Sequence, residues 1–427
     1  MRIQKGATAL VGVLAMVAAA ACGDSGPESP AGPTTPSGCG LEEVAEERDT
    51  PVEVTMWHYL PSLPGGTASP AFAELVDRFN ASQSKVKVTV KGFASGHELV
   101  RRYYAIPPGD PAAPDIVQLP PPATRAAVDT DRVIAVQACV DAAGTDLSPF
   151  LPGGLADTRA DGVQWGLPDG YQSDLLLYDR AAFERAGLDP DHPPATVAEL
   201  RTAAERLRAA GVAHPIARLE AFTLLESATV QVVVHDDGRG NRTGRAGFDS
   251  EDAQEVVTAV AAMRDEGLIA PPGPESQFYG DLLAVGRGES AITQHNAMGL
   301  KVISRALAEG QAPGFRLGIA PLPSVHGPAR SCFMSGSLLL SAGPSLARRG
   351  AAWTFLDWFE APAQQAAWHV TSPLFPTRRD AVADPTVSSL WAAQPELAAG
   401  WTALTSTTCP DPPFFGPQAQ LGQAIGD

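Results

Sequence analysis

Between residues 52 and 119 the apolar pattern changes period four times. Val52, Val54 and Met56 alternate with Glu53 and Thr55, as in a strand with one buried face. Residues 71–79 (AFAELVDRF) place apolar side chains at helical spacing, and Val86, Val88 and Val90 alternate again. A helix is expected around 97–105, a break over the Pro-rich stretch 107–114, and an apolar strand over 116–119 (IVQL). A further helix is expected over 125–136. Strands that alternate with helices bury their apolar faces most simply as a parallel sheet with helices packed against it, so the expected class is α/β. More than three hundred residues follow in a chain of 427, which exceeds one such unit and points to two.

The first residues concern location. Arg2 and Lys5 precede an apolar and small-residue run over 7–21, and Ala19-Ala20-Ala21-Cys22-Gly23 follows. The run is short of the ~20 residues a permanent membrane helix needs, so a cleaved signal is expected. Its end is similar to a bacterial lipoprotein signal, which implies lipidation of Cys22, with Ala19 where such signals usually carry Leu. The alternative is an ordinary secretory signal with the same small cleavage residues. Residues 1–21 are then the signal and 22–38 a disordered tether, since GDSGPESPAGPTTPSG has almost nothing apolar to bury. The protein is expected on the extracellular face of the cell membrane, held by lipid.

Composition excludes some partners. Of 31 basic residues two leave with the signal, so 29 face 48 acids and the net charge becomes −19. Such a chain is repelled by nucleic acid and by anionic head groups, and neither is an expected partner. Besides Cys22 there are Cys39, Cys139, Cys332 and Cys409. Outside the cell an even set suggests disulfides, with three pairings open. None of them forms a C-x-x-C spacing, so no metal or redox site is expected.

Catalytic signatures are missing as well. There is no G-x-S-x-G, H-E-x-x-H or G-x-x-x-x-G-K-[ST], and the eight histidines lack ligand spacing. Residues 235–241 (HDDGRGN) lack the order of a calcium loop and fit a hairpin turn better. A glycosidase would need two carboxylates at a defined separation, and nothing singles out a pair. The protein is expected not to be an enzyme and to need no cofactor.

Several segments together resemble one family. Residues 52–80, 114–119 (PDIVQL), 166–190 (GLPDGYQSDLLLYDRAAFERAGLDP), 193–207 and 351–359 (AAWTFLDWF), with 286–291 and 320–323, are similar in order and spacing to the extracellular solute-binding proteins of ABC importers. The group is the one containing maltose-binding and glycerol-phosphate-binding proteins. The likeness runs over about 52–381 and thins beyond, where Gly416-Pro417 begins what resembles the family's last helix in shortened form. It implies a two-lobe periplasmic-binding-protein-like fold with ligand in the cleft between lobes and several hinge crossings. Closure on ligand would then present a shape that a permease recognises. The resemblance places crossings near 172–175, 335–337 and 372–376, lobe one at 39–174 plus 336–372, and lobe two at 175–335 plus 373–427. A monomer is expected.

The resemblance also nominates contacts. The loop after the first strand offers His58 and Tyr59, with Trp57 read as a core residue. An aromatic can stack on a sugar ring while its polar edge bonds a hydroxyl. Gln118 is the nearest polar substitute for an acidic grip that Pro120, Pro121 and Pro122 replace, and Glu98 is either an acceptor or a helix-start charge. Tyr171, Gln172 and Asp174 lie at the first crossing; Gln294, His295, Asn296 and Met298 form a second polar stretch, with Met298 where relatives often carry a tryptophan. Phe375 offers an apolar wall, Gly336 a hinge or strand start, and Glu220, Phe222 and Glu226 a looser set. None of the nominated stretches holds Lys or Arg, so a neutral solute, a carbohydrate or polyol, is expected over a phosphate. The alternative is a surface sensor or adhesion protein that kept the fold without transport. Pairing cysteines within the implied lobes gives Cys39 with Cys139 and Cys332 with Cys409, because a mixed pairing would clamp one lobe to the other.

Overall fold

A computed structural model describes residues 38–46, 49–60, 70–160, 162–227, 233–234, 245–246, 249–271, 279–311, 313–328 and 336–406. The signal, Cys22, most of the tether, Cys332, Cys409, the turn at 235–241 and Gly416-Pro417 lie outside these residues.

The strand Val52–His58 pairs in parallel with Val86–Gly92 on one side and with Ile116–Leu119 on the other. Its even-numbered side chains face one core, where Val54 and Met56 meet Phe72, Leu75, Val76 and Phe79 of the helix Pro70–Ser82 and Phe355 and Phe359 of Leu346–Phe359. The opposite face of the sheet packs Val117 and Leu119 against Leu99 and Tyr103 of Gly96–Tyr104. Each fully buried Leu or Phe contributes about 1.5–3 kcal/mol.

The parallel trio is as the periodicity predicts, but the whole sheet is mixed, which corrects the expectation. Ser337–Ser341 arrives from far along the chain and runs antiparallel to Ile116–Leu119, Val133–Ile134 and Gly166–Pro168. Leu338 and Leu340 enter one core and Leu339 the other, so this strand is apolar on both faces. The expected helix at 125–136 is also displaced. Pro121 and Pro122 open a helix Pro121–Asp129, where a missing N–H costs nothing, and Asp131 at φ 52° turns the chain into Val133–Ile134.

A second, three-stranded sheet has Asp174–Asp179 at its centre, with Ile292–Asn296 and Leu317–Ala320 antiparallel on either side. Period 2 divides its central strand between two cores. Leu176 and Tyr178 pack against Leu200, Ala204 and Leu207 of the helix Val197–Ala209, whereas Leu175 and Leu177 meet Leu300 and Ile303 of Ala297–Ala308 and Leu397 and Leu404 of Pro395–Thr405. The start of Val197–Ala209 is set by a capping box, in which Thr196 Oγ1 accepts from Glu199 N at 3.2 Å and Glu199 reaches back to the Thr196 amide.

Cys39 and Cys139 are joined by a disulfide spanning 100 positions, with Cα atoms 4.7 Å apart. It sets the short helix Leu41–Ala45 beside Gln137–Ala143 and against Leu346–Phe359. Two glycines allow that contact. A Cβ on Gly350 would sit 2.1 Å from the Gly40 carbonyl oxygen, and Gly40 itself has φ +81°. Gly350→Ala is therefore expected to cost about 1–3 kcal/mol through backbone displacement. A urea midpoint equal to that of the parent would contradict this.

Candidate functional site

Residues 169–173 carry the chain from Gly166–Pro168 in the larger sheet to Asp174–Asp179 in the smaller, and a carboxylate stands at each end: Asp169, 3 % exposed, and Asp174, 8 % exposed. Around each, polar groups from distant parts of the chain converge.

The first nest is built at the ends of parallel strands, where open α/β sheets gather ligands. Gln118 Oε1 accepts from the Tyr59 amide at 2.7 Å, and Gln118 Nε2 donates to Asp169 Oδ2. Asp169 Oδ1 accepts from Gly336 N at 3.1 Å, the Asp169 amide donates to Gly336 O at 3.0 Å, and Trp368 Nε1 donates to the Asp169 carbonyl at 3.0 Å. Gly336 immediately precedes a strand, and its need for glycine is close approach: a Cβ there would lie 2.1 Å from Asp169 Oδ2. Half-buried Tyr59 rests its ring near Gly96. Burial, and then the Asp169 charge, hold its hydroxyl well above the usual tyrosine range.

The second nest joins Asp174 to the neighbouring strand. Gln294 Nε2 donates to Asp174 Oδ2 at 2.8 Å, Gln294 Oε1 accepts from the Glu220 amide at 2.8 Å, and the Gln294 amide donates to Arg218 O at 3.0 Å. Arg218 Nη2 pairs with Glu220 Oε1 at 2.5 Å. Burial raises the Asp174 carboxyl above its ordinary value and the Glu220 charge adds to this, while the Gln294 bond opposes. Asn296, opposite Asp174 in register, caps Ala297–Ala308 by accepting from Met298 N at 3.1 Å and Gly299 N at 3.3 Å. Half-buried Met298 sits in that first turn.

Midway between the nests is Gln172, half-buried, whose Oε1 is buried without a hydrogen-bond partner. Such an acceptor costs about 1–3 kcal/mol unless something satisfies it.

Other nominated residues lie elsewhere. His58 is 2 % exposed and meets Phe72 edge-on at 4.9 Å in the core, where its Nδ1 accepts from Leu60 N at 3.3 Å and burial lowers it to about 4. This corrects the nomination of His58 as a direct ligand contact beside Tyr59, whereas half-buried Trp57 packs on Phe93 at 5.1 Å. His295 points away from Gln294 by strand alternation. Its ring stacks on Tyr279 at 5.8 Å and fits only because residue 299 is glycine. Tyr171 donates its hydroxyl to Leu404 O at 3.2 Å, burial raising it to about 12, and Phe375 is sealed between His369 and Trp401. Both are walls of a core rather than of a surface. Glu98 occupies the first turn of its helix and pairs with Arg102 at 3.3 Å. Phe222 is half-buried against the core of the smaller sheet, and the Glu226 side chain lies outside the described residues.

Asp169 and Arg218 are participants that the sequence does not nominate, and Glu220 takes part through its amide. Asp169 belongs to the polar run before the first crossing without being nominated from it, and nothing local ties 218–220 to 294. Among the described residues no group of three or more His, Cys, Asp or Glu is placed to hold a metal ion. What the two nests offer is a set of fixed acceptors and amide donors, suited to hydroxyls and amides.

Two sheets with separate cores, joined by a polar crossing, define the two-lobe α/β binding fold. The chain belongs to the bacterial extracellular solute-binding proteins, whose family pattern matches it over residues 74–399. It is 24 % identical over 355 residues to the sn-glycerol-3-phosphate-binding periplasmic protein UgpB of Rhizobium meliloti, covering 80 % of this chain and 79 % of that one. With UgpB of Salmonella typhimurium it shares 25 % over 344 residues, 76 % of this chain and 74 % of the other. The solved structure of the sugar-binding protein MalE from Xanthomonas citri superposes with a TM-score of 0.70 at 20 % identity, covering 88 % and 90 % of the two chains. UgpB of Mycobacterium tuberculosis, in complex with glycerophosphocholine, gives 0.67 at 19 %, covering 88 % and 92 %.

Proposed function

We propose that the protein is the lipid-anchored substrate-binding component of an ABC importer. In this reading it works as a monomer, captures a small polar solute as two lobes close, and delivers it to a membrane permease. The lobes are 39–174 plus 336–372 and 175–335 plus 373–427, and closure brings the Asp169 and Asp174 nests onto one ligand. The observation that carries the reading is Gln172: a buried, unpartnered acceptor on the crossing between two polar nests is a place that a ligand donor completes. Tyr59, Gln118, Gln172, Asp174, Gln294, Asn296 and Met298 are the proposed contacts, with His58, Tyr171, His295 and Phe375 supporting them from behind.

A neutral sugar, oligosaccharide or polyol suits these groups better than a phosphate. Arg218 is the one cation placed in either nest among the described residues, and Glu220 already pairs with it. Two carboxylates and a net charge of −17 oppose an anion. The UgpB relatives, named for sn-glycerol-3-phosphate, make the phosphate ester the competing class to test. Thermal-shift screening with mono- and oligosaccharides, polyols, glycerophosphodiesters and short peptides decides between them, since a ligand at a hundred times its Kd stabilises by about 2.7 kcal/mol. Asp174→Ala should weaken the best hit about tenfold or more, the loss expected for a hydrogen bond to a charged group. Tight, steeply salt-dependent binding of a glycerophosphodiester would overturn the neutral-solute reading. No stabilisation by any member of the panel would favour a sensor or adhesion role instead.

A further inference from the structure

Lys301 is one of five lysines in the chain and is only 8 % exposed. It lies one turn into Ala297–Ala308, the helix that Asn296 caps beside Asp174. Its Nζ donates to the carbonyl oxygens of His369 and Ser372, the last turn and the C-cap of Pro362–Thr371. Those are carbonyls a helix end leaves without intrahelical partners, and a cation there is favoured by the helix dipole. Among the described residues no carboxylate pairs with Lys301. His369 is no counter-ion either: Trp391 Nε1 donates to its Nε2 at 3.0 Å, and its Nδ1 donates to Leu374 O at 2.8 Å, the arrangement of a neutral ring. A buried, unpaired ammonium is costly, so its position calls for a reason beyond packing.

That reason lies in what the two carbonyls adjoin. Past Ser372 the chain runs to Phe375, which exchanges both backbone hydrogen bonds with Tyr171: Tyr171 N to Phe375 O at 2.7 Å and Phe375 N to Tyr171 O at 2.9 Å. Tyr171 leads through Gln172 to Asp174, which pairs in register with Asn296 at the head of the Lys301 helix. The connections close into a ring from Asn296 through Lys301, Ser372, Phe375, Tyr171 and Asp174 back to Asn296. Without the Lys301 link the segment at 372–375 keeps the Tyr171 pairing and the apolar packing of Phe375 in the core it shares with Leu300 and Trp401, but loses its hydrogen bonds to the helix at the head of the second nest.

We infer that Lys301 is a positioning residue that fastens the 372–375 segment to the helix forming the second nest, so that Gln172 and Asp174 are presented at a fixed offset. The consequence for solute rests on the binding reading above; the mechanical consequence does not.

Hydrogen exchange of the full-length protein, resolved at the Tyr171 and Phe375 amides, tests the link without any ligand. Lys301→Met keeps the stem and removes the donors, and should speed exchange at both amides about tenfold while the unfolding midpoint stays level or rises. Lys301→Arg, which keeps a cation at the same carbonyls, should restore most of the protection. Unchanged exchange at Tyr171 and Phe375 in Lys301→Met, or faster exchange spread evenly over the whole molecule, would overturn the inference. If the Met variant does not fold, Lys301→Gln with its single donor group is the replacement, and the same two amides decide. A sugar or polyol that binds the parent should bind Lys301→Met more weakly and Lys301→Arg nearly as well. If no member of the panel binds the parent, the transport reading fails while the exchange result still stands or falls alone.

Discussion

Serine at Cys39 or Cys139 lowers the unfolding free energy by about 4 kcal/mol. The bridge spans 100 positions that include all three parallel strands of the larger sheet, and closing a loop of that length removes about 4.7 kcal/mol of chain entropy from the unfolded state before any native strain is subtracted. Both residues are also buried in the main core, so the substituted hydroxyl must be accommodated without solvent. Urea melts of the oxidised parent, the reduced parent and the serine variants give the comparison. A midpoint insensitive to reduction would sink the prediction. Peptide mapping adds a sharper check: a fragment joining Cys39 to Cys332 or Cys409 in place of Cys139 would contradict the pairing directly.

Glu360→Gln removes a stability loss that the parent suffers as pH rises. Glu360 is 1 % exposed at the end of Leu346–Phe359; its Oε2 accepts from Thr377 Oγ1 at 2.6 Å, and its Oε1 is buried without a partner. Burial pushes the carboxyl up to about 8, against the Thr377 bond and the Arg378 charge, which act to lower it. The folded state therefore keeps a proton that the unfolded chain releases near 4.5. The stabilising contribution is complete below that value and is lost as pH rises through 8, at ~1.4 kcal/mol per unit within the window.

Two other buried groups act with the opposite sign. His58, lowered to about 4, adds stability as pH rises from 4 to 6.5, and Lys301, lowered to about 7, adds it between 7 and 10.5. The difference between Glu360→Gln and its parent isolates the carboxyl from both. That difference should move in favour of the variant by a few kcal/mol between pH 5 and pH 7.5 in urea melts. An equal difference at the two pH values would show that Glu360 does not carry the proton.

The parts of the fold that local pattern specifies are those whose period shows within a single segment. Strand, helix and strand over 52–92 follow from period alone, although the face that Val54 and Met56 present is also covered by the distant helix Leu346–Phe359. The Thr196–Glu199 capping box could likewise be read at four consecutive positions. Even the burial of His58 was legible in principle: it shares the parity of Val54 and Met56 on one strand, and parity decides the face. The Cys39–Cys139 pairing came from the family resemblance and not from local pattern.

The rest was decided by tertiary structure. That Ser337–Ser341 would enter the larger sheet antiparallel cannot be read from a run of leucines apolar on both faces, since such a run fits any central position. Asp169 with Gln118 and Gly336, Gln294 with the 218–220 backbone, and Lys301 with the carbonyls at 369 and 372 are separated in sequence by fifty to more than one hundred and sixty residues. A polar side chain announces its need for a partner but not which partner, because a hydrogen bond constrains distance and direction in space and carries no record of separation along the chain. The amino-acid sequence thus determined the class of fold and the residue types available to a site; packing alone determined which of them meet.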